Sequence, residues 1–188
     1  MTEDEARERI LSAAEELYYR KGFAAVGMDE LRAEAGVSLR RLYALFPSKP
    51  DIIAAVLQRR HEEWESTLAA SVEAAGENPR ERLLAVYRYL ENWFCSDGFR
   101  GCAFINAFGE LGGTSPEVAR IVREHKASFQ RHMAALAAES GGTPALAAQL
   151  SILAEGAQST AAISADPQVA AQARAAAEVL IDAALSGS

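Results

Sequence analysis

Four times this chain sets a short polar side chain directly before a proline: Asn78-Pro79, Ser115-Pro116, Thr143-Pro144 and Asp166-Pro167. Proline holds φ near the helical value and lacks an N–H that a first helical turn would leave unpaired. The residue before it can cap that turn through its side chain. Such dipeptides open helices, and apolar residues follow them at spacings of three and four. The second half is dominated by alanine, the strongest helix former. No segment alternates strongly enough to read as a strand. The pattern predicts an all-α chain of about nine helices.

The N-terminal part follows the same grammar. Thr2 with Glu5 forms a capping box, and Ile10, Ala13, Ala14, Leu17 and Tyr18 follow at helical spacing until Gly22. A short helix is expected from Met28 to Ala35, stopped by Gly36, and a second after Ser38 with Leu42 and Phe46 on its apolar side. Ser48 with Asp51 opens a long helix through Ile52, Val56, Trp64 and Leu68. Two short helices meeting at a glycine are what a helix-turn-helix requires, because the second must project its first residues into a DNA major groove. Those positions are Ser38, Leu39, Arg40 and Arg41, and arginine there can bridge guanine O6 and N7 or reach phosphates.

The charge distribution agrees. The chain carries 19 Lys+Arg against 26 Asp+Glu, a net charge of −7, which argues against nucleic-acid binding if the charge were uniform. Residues 1–60 are balanced, however, and 32–60 hold six basic residues (Arg32, Arg40, Arg41, Lys49, Arg59, Arg60) against Glu34 and Asp51. Phosphate binding follows the field of one face and not the global sum.

From Ile10 to about Val56 the chain resembles the TetR family of transcriptional regulators. The residues that carry the likeness are Ile10-Leu11, Ala13-Ala14, Leu17, Lys21-Gly22-Phe23, Met28, Leu31, Ala35-Gly36-Val37-Ser38, Leu42-Tyr43 and Phe46-Pro47-Ser48-Lys49. The resemblance implies a three-helix DNA-binding domain over residues 1–48. It also implies a helical ligand-binding and dimerisation domain over 49–188. Tyr43 and Lys49 match positions that touch the DNA backbone in the family. Two departures bear on the operator: Val26-Gly27 stands where a Thr or Ser is common, and Leu39-Arg40-Arg41 where Lys-Gly-Thr is common.

Beyond residue 60 the reading rests on architecture. Seven of the 14 aromatic residues fall between Tyr87 and Phe108. Stripes of Tyr87, Leu90 and Phe94, of Phe104 and Phe108, and of His125, Phe129 and Met133, with Trp64 on the long helix, are expected to line a largely apolar effector site. The last two helices are expected to pair with those of a second subunit. The seam residues would be Ala147, Ser151, Ala154, Glu155 and Gln158, then Ala171, Arg174, Ala175 and Glu178.

The exclusions narrow the function. His125 and His132 lie seven residues apart, too far along a helix to grip one metal, so neither a metal nor another cofactor is expected. No nucleotide-binding or hydrolase motif occurs, and His61-Glu62-Glu63-Trp64-Glu65 only superficially matches a zinc-protease motif, so the chain is not expected to be an enzyme. An apolar run of ~18 residues is absent, and Met1-Thr2-Glu3-Asp4-Glu5 is acidic where a secretory signal is basic. With two cysteines, these features predict a cytoplasmic protein without a disulfide framework or a membrane span. The expected function is a ligand-responsive regulator, as a repressor, that binds a palindromic operator in double-stranded DNA as a homodimer. A dimeric small-molecule-binding or thiol-sensing protein without operator binding is the alternative.

Overall fold

The computed structural model describes residues 1–186, and among them every regular element is an α-helix. Nine are present in the described residues: α1 (Glu3–Lys21), α2 (Met28–Ala35), α3 (Leu39–Leu45), α4 (Lys49–Glu73), α5 (Pro79–Phe94), α6 (Ala103–Leu111), α7 (Pro116–Glu139), α8 (Pro144–Ser164) and α9 (Gln168–Ser186). The expected caps form. The Thr2 N–H donates to the Glu5 carboxylate at 2.7 Å, and the Glu5 N–H donates back to the Thr2 hydroxyl at 3.2 Å. Asn78 accepts from the N–H groups of Arg80 and Glu81 at the head of α5, and Thr143 from Leu146 at the head of α8. Each satisfies a donor that the first turn leaves unpaired.

The chain divides into two compact units: Met1–Glu62 with Ala103–Arg123, and Glu63–Cys102 with the residues from Glu124 onward. The sequence reading put the divide between residues 48 and 49. The compact units instead separate inside α4 and again inside α7. Ile52, Ile53, Val56 and Leu57 are buried in the first unit, so the opening turns of α4 belong with the N-terminal helices.

In the first unit Ile10, Leu17, Leu31, Leu42, Ile52 and Leu57 are fully buried, drawn from α1 to α4 in turn. The Tyr18 ring stacks on Phe23 with centroids 5.2 Å apart, and the Arg7 guanidinium lies 4.7 Å over the Phe46 ring. The Tyr18 hydroxyl is buried without a hydrogen-bond partner. Burial pushes its pKa well above the ordinary phenol value, so the ring serves packing and the hydroxyl stays neutral.

The second unit is built on small residues. Ala170, Ala173, Ala177 and Ile181 form the buried stripe of α9, and Leu146, Leu150, Ala154, Ala157 and Ala161 that of α8. Alanine at the contact lets helix axes approach closely. Leu83, Leu84, Tyr87, Leu90 and Phe94 of α5 supply the bulk that fills the remaining space. The Tyr87 hydroxyl, fully buried, donates to the Leu150 carbonyl at 2.7 Å and ties α5 to α8. At the surface, Arg80 bonds both carboxylate oxygens of Asp182 at 2.7 and 3.0 Å, joining α5 to α9.

His132 on α7 has a buried Nε2 with no partner. Burial, reinforced by the Arg82 charge, holds its pKa below the ordinary imidazole value, against the pull of Glu139 and Glu65. The folded chain therefore holds the neutral ring, while the unfolded chain binds a proton from about pH 6.5 downward. That contribution to stability is complete above the unfolded value and is lost as pH falls through the lower folded value. Urea midpoints measured over about pH 5–8 should fall on the acid side, and His132→Leu should flatten that fall. An acid slope unchanged by the substitution contradicts this role.

Candidate nucleic-acid interface and helical core

The turn between α2 and α3 rests on Gly36, which adopts φ 64° and ψ 36°, the left-handed region. A side chain there meets the carbonyl that follows it; glycine does not. The Gly36 N–H donates to Ala33 O at 3.2 Å and the Val37 N–H to Arg32 O at 3.0 Å, closing the end of α2. Ser38 then starts α3, its hydroxyl accepting from the Arg41 N–H at 3.2 Å. The serine is thus a helix cap within the protein.

The seven residues of α3 split cleanly into two faces. Leu42 is fully buried and Phe46, just beyond the last turn, nearly so. On the other side Leu39 is 37% exposed, Tyr43 is 46% exposed, and Arg40 and Ala44 lie in solvent. Arg40 makes no hydrogen bond or ion pair among the described residues and is free to extend. Arg41 differs. Its guanidinium donates to the Met1 carbonyl at 3.0 Å and the Thr2 carbonyl at 2.7 Å, fastening α3 to the start of α1. Of the two arginines expected to reach bases, only Arg40 points away from the protein's own groups.

Lys49 stands at the first residue of α4 but turns back onto the loop after α1, its Nζ donating to the Ala24 carbonyl at 3.1 Å. On the other side of that peptide, the Ala24 N–H donates to the Glu110 carboxylate of α6 at 2.8 Å. Partial burial lowers the Lys49 pKa and the Glu110 charge pulls it up. Glu110 went unread in the sequence. It lies 86 residues from Ala24, beyond any local pattern, and its only trace was the glycine at position 22.

Gly22 has φ 92°, and a Cβ there would stand 3.0 Å from both Glu110 carboxylate oxygens. Gly22→Ala should therefore lower the stability of the chain by more than ~1 kcal/mol, combining backbone strain with the collision. Gly22→Ala in a Glu110→Ala background should recover part of the loss, read from thermal unfolding. An additive double mutant would show that the two residues are not coupled.

The residues expected to line an effector site are only partly gathered. Tyr87, Leu90, Phe94, Phe129 and Met133 lie in the core of the second unit, and the half-buried Trp64 packs against it. The Trp64 ring meets the His125 imidazole edge-on with centroids 4.7 Å apart, and Phe129 at 5.7 Å. Phe104 is buried and Phe108 is 45% exposed, but both belong to the first unit. Phe99, which contacts Trp93 and Phe94 with centroids 5.3 and 4.8 Å apart, joins the aromatic group in their stead.

Of the expected seam residues, Ala175 faces solvent and most of the others are taken up within the second unit. Ala147, Ser151, Ala154 and Gln158 are buried in the second unit, with Ser151 and Gln158 donating to carbonyls of α8 itself. Glu155 pairs with Lys126, and Arg174 pairs with Glu91 and Glu178. Ala171 is half-buried and Ala175 exposed. The stripe left facing solvent is Ile152, Gly156 and Ile163 on α8, with Ala175, Ala176 and Val179 on α9. In an alanine-rich helix every face looks small, so composition alone did not distinguish the inner stripe from the outer one.

Among the described residues, no group of three or more His, Cys, Asp or Glu side chains is placed to hold a metal ion. No described helix is long and apolar enough to cross a membrane.

The family model for "Bacterial regulatory proteins, tetR family" matches residues 10–56. A TetR-family transcriptional regulator from Streptomyces coelicolor superposes with a TM-score of 0.87 at 30% identity, covering 97% of each chain. A putative TetR transcriptional regulator from Streptomyces avermitilis gives a TM-score of 0.80 at 34% identity, covering 95% of this chain and 97% of that one. Among curated proteins, the repressor NemR of Escherichia coli is 30% identical over 118 residues. That match takes in 62% of this chain and 59% of NemR, less than two thirds of the relative's length.

Proposed function

We propose, from the premise that this chain belongs to the TetR family of bacterial regulatory proteins, that it represses transcription by holding a palindromic DNA operator as a homodimer in the cytoplasm. A largely apolar small molecule bound in the helices after α4 releases it. The observation that carries this reading is the outward face of α3, where Leu39, Arg40 and Tyr43 stand in solvent on a helix held rigidly from beneath by Leu42 and Phe46. Leucine and tyrosine left in water beside an arginine suit a surface that meets thymine methyl groups, base edges and phosphates.

One seven-residue helix reads too few base pairs to specify a site, so two copies are needed, on half-sites about 34–36 Å apart. The exposed stripe of Ile152, Gly156 and Ile163 with Ala175, Ala176 and Val179 supports pairing of α8 and α9 with the same helices of a second subunit. A face of this kind, self-complementary about a two-fold axis, closes a four-helix bundle. The effector acts by binding more tightly to the dimer geometry that fits the operator poorly, since a ligand shifts an equilibrium only through unequal affinity. Repression, as against activation, is taken from the name of the NemR relative.

Two sets of variants test the reading. Arg40→Ala should cost ~1–3 kcal/mol on the true operator and relax the preference at one base position. Arg41→Ala, which frees the start of α1, should weaken specific and random DNA alike. Lys49 reaches a phosphate only by giving up the Ala24 carbonyl, so Lys49→Ala should lower the salt slope by about one unit. Equal losses on specific and random DNA for Arg40→Ala would remove its base-reading role.

For the dimer, Ile152→Asp and Val179→Asp, made separately, should shift the sedimenting species from dimer to monomer and abolish operator binding. A dimer that survives both substitutions would place the seam elsewhere.

A further inference from the structure

The outward face of α3 is more apolar than phosphate binding alone requires. Leu39, Tyr43 and Ala44 are exposed there without charge, and Arg40 is the cation that extends into solvent beside them. Arg41 does not add to it, because its guanidinium is bound to the Met1 and Thr2 carbonyls. The large apolar side chains exposed in the first unit are Met1, Leu39, Tyr43 and Phe108, and two of them stand on this one helix of seven residues. Leu39 and Tyr43 are four residues apart and so are neighbours along one strip of the helix; Arg40 and Ala44 form the strip beside it. The backbone under both strips is fixed by the Ser38 cap on the Arg41 N–H and by the full burial of Leu42. A leucine is therefore held at a defined place in water, next to a cation that is free to reach outward.

Leucine has neither a donor nor an acceptor, so it gains nothing from a phosphate oxygen. Against the polar edge of guanine, adenine or cytosine it would cover a hydrogen-bonding group and leave it unpaired, which costs free energy. The major groove offers one apolar group, the C5 methyl of thymine. We infer that Leu39 selects a thymine in each operator half-site by packing on that methyl, while Arg40 reads a guanine of the same half-site. The inference rests on the regulator reading above and names what its DNA-facing surface distinguishes. Because the contact is to the methyl itself, it extends to a second base. 5-Methylcytosine carries the same methyl at the same place in the groove, so methylation of a cytosine at that position should strengthen binding.

The test uses the full chain and the duplex it enriches from a random pool. Each thymine of one half-site is replaced in turn by uracil, which lacks only the methyl, and affinity is measured at fixed salt. Replacement at one position should weaken binding about fourfold, the equivalent of the ~0.8 kcal/mol that burial of one such carbon contributes. With cytosine at that position binding should fall further, and 5-methylcytosine should bind better than cytosine by a similar factor. Leu39→Ala should bind the thymine and uracil duplexes equally, whereas Leu39→Met should keep the preference. Tyr43→Ala should weaken both duplexes alike and leave their ratio unchanged. Both replaced side chains are exposed, and thermal melts like that of the unmodified chain show that the variants fold.

A half-site in which no thymine is sensitive to uracil overturns the inference, as does a preference that survives Leu39→Ala or that disappears with Tyr43→Ala. In each of those cases a selected sequence still exists, and the regulator reading stands. A pool from which no sequence is enriched would instead count against the regulator reading, and the role of Leu39 would fall with it.

Discussion

The left-handed turn at Gly36 and the burial of Leu42 behind it govern what the N-terminal unit can do. A helix of seven residues has little stability of its own, since nucleation fixes several residues for each early hydrogen bond. What holds α3 is its apolar side: Leu42 is fully buried, as Leu31 of α2 is, and Val37 and Phe46 on either side of α3 are buried too. That burial leaves the opposite side free of structural duty, so Leu39, Arg40 and Tyr43 can be chosen for a partner. The carbonyl–guanidinium bonds of Arg41 and the Lys49–Ala24–Glu110 chain then hold the surrounding segments in place. The exposed residues of α3 and the residues that hold it are separate sets.

The second unit solves a different problem. Alanine stripes on α8 and α9 bring helices close together, and the bulk of the core comes from α5, with Tyr87 tied to Leu150. Close helix packing leaves the outer faces of α8 and α9 with apolar side chains and little charge, which is the condition for a second pair of helices to dock. Its ion pairs, Arg80–Asp182, Arg82–Glu139 and Arg174–Glu91, link distant helices and lie at the surface, where each adds little to stability.

Where a signal is local, the sequence carried it. Capping dipeptides marked the starts of α5, α7 and α8, and Gly36 with Ser38 marked the turn and the start of α3, because caps and turns act over three or four residues. Contacts between distant segments left almost no trace. Glu110 reaches the Ala24 N–H from 86 residues away, and Lys126 reaches Cys102 from a neighbouring helix. The orientation of α8 and α9 was also out of reach, since periodicity distinguishes faces only when they differ in size or polarity. Arg40 and Arg41 read as equals in sequence; the carbonyls of Met1 and Thr2 separate them in three dimensions.

The central claim is that the outward face of α3 reads DNA in two symmetric copies. The most direct measurement is repeated selection of duplexes from a random pool by the purified chain, followed by sequencing. The account predicts enrichment of an inverted repeat whose half-sites are spaced by one helical turn or a multiple of it. A pool that stays random through successive rounds, or that converges on a single unpaired half-site, would contradict it.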